Sequence, residues 1–154
     1  MGCSESRTKD EDEGPRVKKN SKNFQFELYA AIKSSRVEAV KDLLKNNFDI
    51  SYKMPNFMGR TALHIAAEYG NKEIILTLLE KNADMNALDS SGCPPVFLAM
   101  SKGHLEIVSL MIEGGANANI VTNHDLSLHD FICVSKTKES MNLLKKIKYS
   151  KIKL

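Results

Sequence analysis

Apolar residues in the middle of the chain come in short bursts at helical spacing, and the bursts are written again 33 residues later. Leu63, Ile65, Ala66 and Ala67 gather ahead of Gly70, and Ile74, Ile75, Leu78 and Leu79 follow at the intervals of a helix with one buried stripe. The pattern predicts two short helices back to back. Gly70 joins them, since glycine enters the left-handed turn that few other residues tolerate, and the small Ala66 and Ala67 permit close helix approach. Asn82-Ala83-Asp84 then leads out of the second helix toward an extended turn. Gly59, Gly70 and Asn86 return as Gly92, Gly103 and Asn119. One such unit cannot bury its apolar stripe alone, so neighbours must stack.

The repeated text, Gly59-Arg60-Thr61-Ala62-Leu63-His64-Ile65-Ala66-Ala67, closely resembles the ankyrin repeat, with its period of 33 and its T-P-L-H-x-A core. The resemblance implies an all-α fold, an ankyrin-repeat solenoid of about four helix-turn-helix repeats with short hairpin-like turns. Ala31 through Leu44 can be laid on Ala66 through Leu79, which makes a first repeat that carries Ser34-Ser35 at the glycine turn and a longer link to its neighbour. After Asn119 the pattern decays into a capping repeat in which Asp125 takes a glycine place and Leu143-Leu144 stand for the paired leucines. The expected organisation is a disordered tether over 1–23, repeats over about 24–55, 56–88, 89–121 and 122–149, and a basic tail over 150–154. In the third repeat Pro94-Pro95-Val96-Phe97 replaces Thr61-Ala62-Leu63-His64, so a looser turn is expected there. Prolines suit a first helical turn, where the missing N–H had no partner within the helix.

Charge adds two features. The net charge of the 154 residues is +3, but residues 24–135 carry 9 Lys or Arg against 13 Asp or Glu, whereas residues 136–154 carry 7 Lys against Glu139 alone. A run such as Lys145, Lys146, Lys148, Lys151 and Lys153 suits phospholipid headgroups or an acidic partner, and suits better still the dipole of a helix C-terminus at a solvated end. It lacks the aromatic interleaving of a nucleic-acid surface, so nucleic acid is not expected as a partner. The other feature is Met1-Gly2-Cys3-Ser4-Glu5-Ser6. Removal of Met1 exposes Gly2, and Ser6 stands where the N-myristoylation pattern asks for Ser or Thr. One myristoyl chain holds a membrane only marginally, and Cys3 offers the thiol for a second, S-palmitoyl chain. This start resembles those of Src-family kinases and G-protein α subunits. Residues 5 to about 22 hold hardly an apolar side chain, as expected of a tether.

No apolar run reaches the roughly 20 residues of a membrane-spanning helix, and the three cysteines, Cys3, Cys93 and Cys133, suit a reducing compartment. No phosphate loop, nucleophile elbow or zinc spacing occurs, so no catalytic residue, cofactor or metal is expected. His64 belongs to the repeat motif, where the resemblance implies a structural hydrogen bond. The resemblance also implies that exposed positions of the turns and first helices face a concave groove and bind a protein partner. Those positions are Phe57, Met58, Arg60, Glu68 and Tyr69 in the second repeat and Ser90, Ser91, Cys93, Ser101 and Lys102 in the third, with Lys33 and Ser34 matching them in the first. Phe57 and Met58 have an alternative, folding back on their own repeat. The expectation is a monomeric, non-enzymatic adaptor or local regulator, held at the cytosolic face of a membrane by acylation at Gly2 and Cys3. The alternative is a soluble module that docks on an enzyme or transcription factor.

Overall fold

The computed structural model describes residues 22–45, 49–125, 127–135 and 137–150. Within them the helices run α1 (Lys22–Lys33), α2 (Val37–Leu44), α3 (Ala62–Glu68), α4 (Lys72–Glu80), α5 (Pro95–Ser101), α6 (Leu105–Glu113), α7 (Leu128–Ser135) and α8 (Lys138–Ser150), with a 3-10 turn over Pro55–Phe57. Each odd-numbered helix packs on the even-numbered one after it. The first helices α1, α3, α5 and α7 stack into one row, while in the second row α2 packs on α4 and α6 on α8. This is the expected all-α solenoid of four helix pairs. Extended pairing among the described residues is limited to isolated bridges between Met54 and Arg60 and between Val121 and Ser127.

The rows differ because their neighbours differ. Helices α3 and α5 are enclosed on several sides, so Ala62 through Ala67 and Pro95 through Met100 are all buried. Helices α4 and α6 bury one stripe each, Ile74, Ile75 and Leu78 in the former and Ile107, Val108, Met111 and Ile112 in the latter. At roughly 1.5–3 kcal/mol for each fully buried large side chain, these stripes carry the stack. The outer pairs join the same core through Leu28 and Ile32 of α1, Leu128 and Ile132 of α7, and Leu143 and Ile147 of α8.

Turns explain the register. Gly70 has φ +69°, and a Cβ there would stand 2.7 Å from Nδ1 of His104, so both backbone and space exclude a side chain. The first repeat, without a glycine, puts Ser35 in the same left-handed region at φ 54°. The Ser35 hydroxyl donates to Oδ1 of Asn71 at 2.6 Å, and the Asn71 amide donates to the Ile32 carbonyl at 2.5 Å, so the second repeat holds the turn of the first. One repeat on, His104 stands in the place of Asn71 and its Nε2 donates to the Glu68 carbonyl at 3.1 Å.

The third turn is closed without the threonine and histidine. Asp89 accepts through one oxygen from the amides of Ser91 at 2.8 Å and Cys93 at 2.9 Å, while its own amide donates to the Cys93 carbonyl at 3.1 Å. The Thr61 amide that His64 accepts from has no counterpart here, because Pro94 carries no N–H, and the buried carboxylate of Asp89 ties the turn through other amides.

Candidate protein-binding surface

His64 fixes the frame of the turns. It is fully buried, and Nδ1 accepts from the Thr61 amide at 3.2 Å with the Thr61 hydroxyl 2.8 Å away. Nε2 lies 3.0 Å from the Cys93 carbonyl. A carbonyl only accepts and an amide N–H only donates, so these partners require neutral imidazole protonated at Nε2. Burial pushes the His64 pKa below its ordinary value, in the same sense. The side chain is therefore a structural tie between the second and third repeats.

Beside it runs a charged strip. Arg60 Nη1 donates to Glu68 Oε2 at 2.6 Å, its Nε faces Asp89 Oδ2 at 3.5 Å, and Lys102 Nζ stands 3.6 Å from Glu68 Oε1. Nε of Arg60 is buried and makes no hydrogen bond, so its contact with Asp89 is one of charge alone. The side chains of Arg60 and Glu68 each retain only 19% exposure, less open than the exposed positions the sequence suggested. The reason is that each is the other's partner, and a pair at this depth is desolvated together. Ser90, Ser101 and Lys102 are exposed, whereas Ser91 and Cys93 are half-buried. Burial, and then the charge of Asp89, pushes the Cys93 thiol above its ordinary range.

The large apolar side chains take an arrangement that the sequence did not disclose. Phe57 is half-buried, and its ring lies on the first repeat. It stacks on Tyr29 of α1 with ring centroids 4.4 Å apart and planes at 18°, and meets Phe26 edge-on at 5.4 Å. The hydroxyls of Tyr29 and Tyr69 lie 2.7 Å apart, their rings are edge to face at 6.1 Å, and the hydrogen bond pushes the Tyr69 pKa up to about 12. Each such ring pair is worth about 0.5–1.5 kcal/mol beyond its buried area. Met58 is 53% exposed and Phe26 52%. Met58 also has φ 57° and ψ 33°, a left-handed conformation unusual for a long side chain, while its carbonyl accepts from the Ser90 amide at 2.9 Å. Phe26 and Tyr29 were missed in the sequence because Tyr29 stands two residues ahead of Ala31, as His64 stands ahead of Ala66, and no motif residue flags it there. The signal available was the spacing of Phe26, Tyr29 and Lys33 along one side of a helix.

Other candidates lie apart from this surface. On α7, Sγ of Cys133 is 3.5 Å from Nδ1 of His129, and among the described residues no three His, Cys, Asp or Glu side chains converge as metal ligands. No described helix is long and apolar enough to cross a membrane. Gly2, Cys3, Lys151 and Lys153 lie outside the described residues, and Lys145, Lys146 and Lys148 fall within α8.

A family model of ankyrin repeats in three copies matches residues 13–89, and a single ankyrin-repeat model matches residues 91–123. The chain belongs to the ankyrin-repeat family. It is similar to alpha-latrotoxin-Lt1a of Latrodectus tredecimguttatus, 36% identical over 104 residues that cover 65% of this chain and 7% of the toxin. It is 39% identical to the B-cell lymphoma 3 protein homolog of Mus musculus over 71 residues, 46% of this chain and 16% of that protein. Rabankyrin-5 of Mus musculus is 35% identical over 82 residues, 53% of this chain and 7% of the relative. The ankyrin chain thus spans only a small part of these relatives. Ankyrin repeats make it a protein–protein interaction module. Beyond residue 123 the family models no longer match, yet α7 and α8 pack on α5 and α6 as a further ankyrin-like pair.

Proposed function

We propose that the chain is a lipid-anchored adaptor or local regulator at the cytosolic face of a membrane, binding one protein partner through its concave ankyrin surface as a monomer. The observation that carries the binding half is the continuous strip from Phe57 and Met58 through Arg60, Glu68 and Tyr69 to Ser90, Ser91, Cys93, Ser101 and Lys102. Neighbouring repeats are tied along it by the contacts of Glu68 with Lys102 and of Met58 with Ser90. The anchoring half rests on Gly2, Cys3 and Ser6 in the sequence, with the basic run of α8 and the residues after it as a further source of attraction to anionic headgroups. Confinement to a surface raises the effective concentration of the module for partners on that surface, so modest affinity suffices and no chemistry is required of the chain.

The test is incorporation of a myristate analogue in cells, with membrane fractionation of wild type, Gly2→Ala and Cys3→Ser side by side. Gly2→Ala abolishes label and releases the protein, while Cys3→Ser keeps label and loosens attachment. An unlabelled, soluble wild type defeats the anchored reading and leaves a soluble ankyrin module that docks on an enzyme or transcription factor.

A further inference from the structure

We propose that the cluster of Phe26, Tyr29, Phe57, Met58 and Tyr69 docks an acidic segment of a partner protein that carries a bulky apolar anchor residue. The anchor lies against Phe26, Phe57 and Met58, and the segment's carboxylates lie toward Lys33 and Lys102. Such docking deepens the concave-surface reading above and rests on it.

Three observations meet at this cluster. The first is exposure where burial is available: Phe26 leaves 52% of its surface open against the Phe57 ring, and Met58, next to Phe57 in the chain, leaves 53% open. Large apolar side chains left open next to a built aromatic platform mark the anchor pockets of interfaces. The second is backbone strain at the same place. Met58 holds φ 57° immediately before Gly59 at φ 65°, so a long side chain occupies a position that a glycine would take more easily. The left-handed backbone lets the Met58 carbonyl accept from the Ser90 amide, but about half of the long side chain is left uncovered by the described residues, open to a contact from outside.

The third observation, charge, selects the occupant. Along this row the carboxylates are already engaged, Glu68 by Arg60 and Lys102, and Asp89 by Arg60. Lys33 stands 6.0 Å above the Tyr29 ring, is exposed, and pairs with no carboxylate among the described residues. Lys102 keeps 53% of its side chain open beside Glu68. The other acids of the described repeats lie mostly on the second row of helices, Glu38 and Asp42 on α2, Glu73 and Glu80 on α4, and Glu106 on α6. Glu27 follows Phe26 but projects about 100° further round α1. A ring platform flanked by lysines, with its own carboxylates occupied, complements a segment that joins an apolar side chain to Asp or Glu.

The experiment is selection of a random peptide library displayed on phage against the full-length chain, followed by anisotropy titration of the enriched peptides, labelled with a fluorophore. The titrations use wild type, Phe26→Ala, Lys33→Glu, Met58→Gly and, further along the concave surface, Ser101→Arg, each first checked for its urea midpoint. The expected peptides pair a bulky apolar residue with nearby Asp or Glu, and lose about tenfold in affinity with Phe26→Ala and again with Lys33→Glu. Met58→Gly weakens binding while keeping or raising the urea midpoint. Peptides without acidic bias, or peptides indifferent to Phe26→Ala and Lys33→Glu, overturn the proposal. If their binding instead follows Ser101→Arg, the concave-surface reading survives without the aromatic dock, and if no substitution on either part matters both fail. Displacement of the peptides by a synthetic copy of residues 1–21, or a dimer in sedimentation that Phe26→Ala dissolves, identifies the occupant as the chain's own segment or a second copy and also overturns the proposal.

Discussion

Met58 and His64 show how single side chains are set by opposite demands. Met58 adopts the left-handed region at φ 57° with half its surface in solvent, so it gives little packing in return for its strain. Replacing it with glycine removes a strain of about 1–2 kcal/mol against a smaller loss of chain entropy in the unfolded state. Met58→Gly is expected to stabilise the fold by about 0.5–1 kcal/mol, read as a higher urea midpoint at unchanged slope. His64 is the reverse case, a fully enclosed ring whose neutral form satisfies both neighbours. Its folded pKa lies below the ordinary 6.5 because of burial, so the unfolded chain binds the proton first. The His64 contribution is therefore fully present above pH 6.5 and is lost as pH falls from there through the folded pKa, at a slope approaching about 1.4 kcal/mol per pH unit. Urea unfolding of wild type and His64→Gln between pH 7.5 and 5 checks this, with the slope expected only in the wild type.

At the scale of the element, each turn and helix pair is completed by the next. The third turn shows it most directly, since one oxygen of Asp89 accepts from the Ser91 and Cys93 amides and the other faces Arg60 of the repeat before. Asp89→Ala leaves two half-buried N–H groups and the Arg60 charge without that partner, and is expected to destabilise by about 2–4 kcal/mol. Asp89→Asn keeps one acceptor oxygen and is expected to cost about half as much, both measured by urea unfolding. Ser90, Ser91 and Gly92 were legible as turn positions, whereas Asp89 and its reach to Arg60 were not, because that contact depends on how one repeat packs against the next. The same packing of repeats brings Tyr29 to Tyr69, 40 residues apart, while Arg60 and Glu68 leave the exposed set by pairing within their own repeat.

Over the whole molecule, stability is shared between neighbours in a line rather than around one centre. Helices α3 to α6 have packed repeats on both sides, while α7 and α8 close one end. Native-state hydrogen exchange is therefore expected to be slowest at the amides of α3 and α5 and to quicken through α7 and α8, a gradient that uniform protection across the chain would refute. The decay of the repeat after Asn119 foretold a cap, and the cap forms because Leu128, Ile132, Leu143 and Ile147 keep the apolar spacing after the turn residues have changed.

By itself the sequence determined what is local and periodic: the helix pairs, the stripes they bury, the left-handed turn at Gly70, and the count of stacked units. These follow from spacing along the chain, which a repeat copies faithfully. Only the tertiary structure decided which side chains meet on the proposed binding face, because the first repeat is offset by 35 residues from the second rather than by 33. That offset places Tyr29 where a histidine stands in the next repeat, and brings Phe57 under it from a loop the period does not describe. Contacts across unequal repeats depend on the packing of two rigid units, and no pattern within either unit encodes where their surfaces meet.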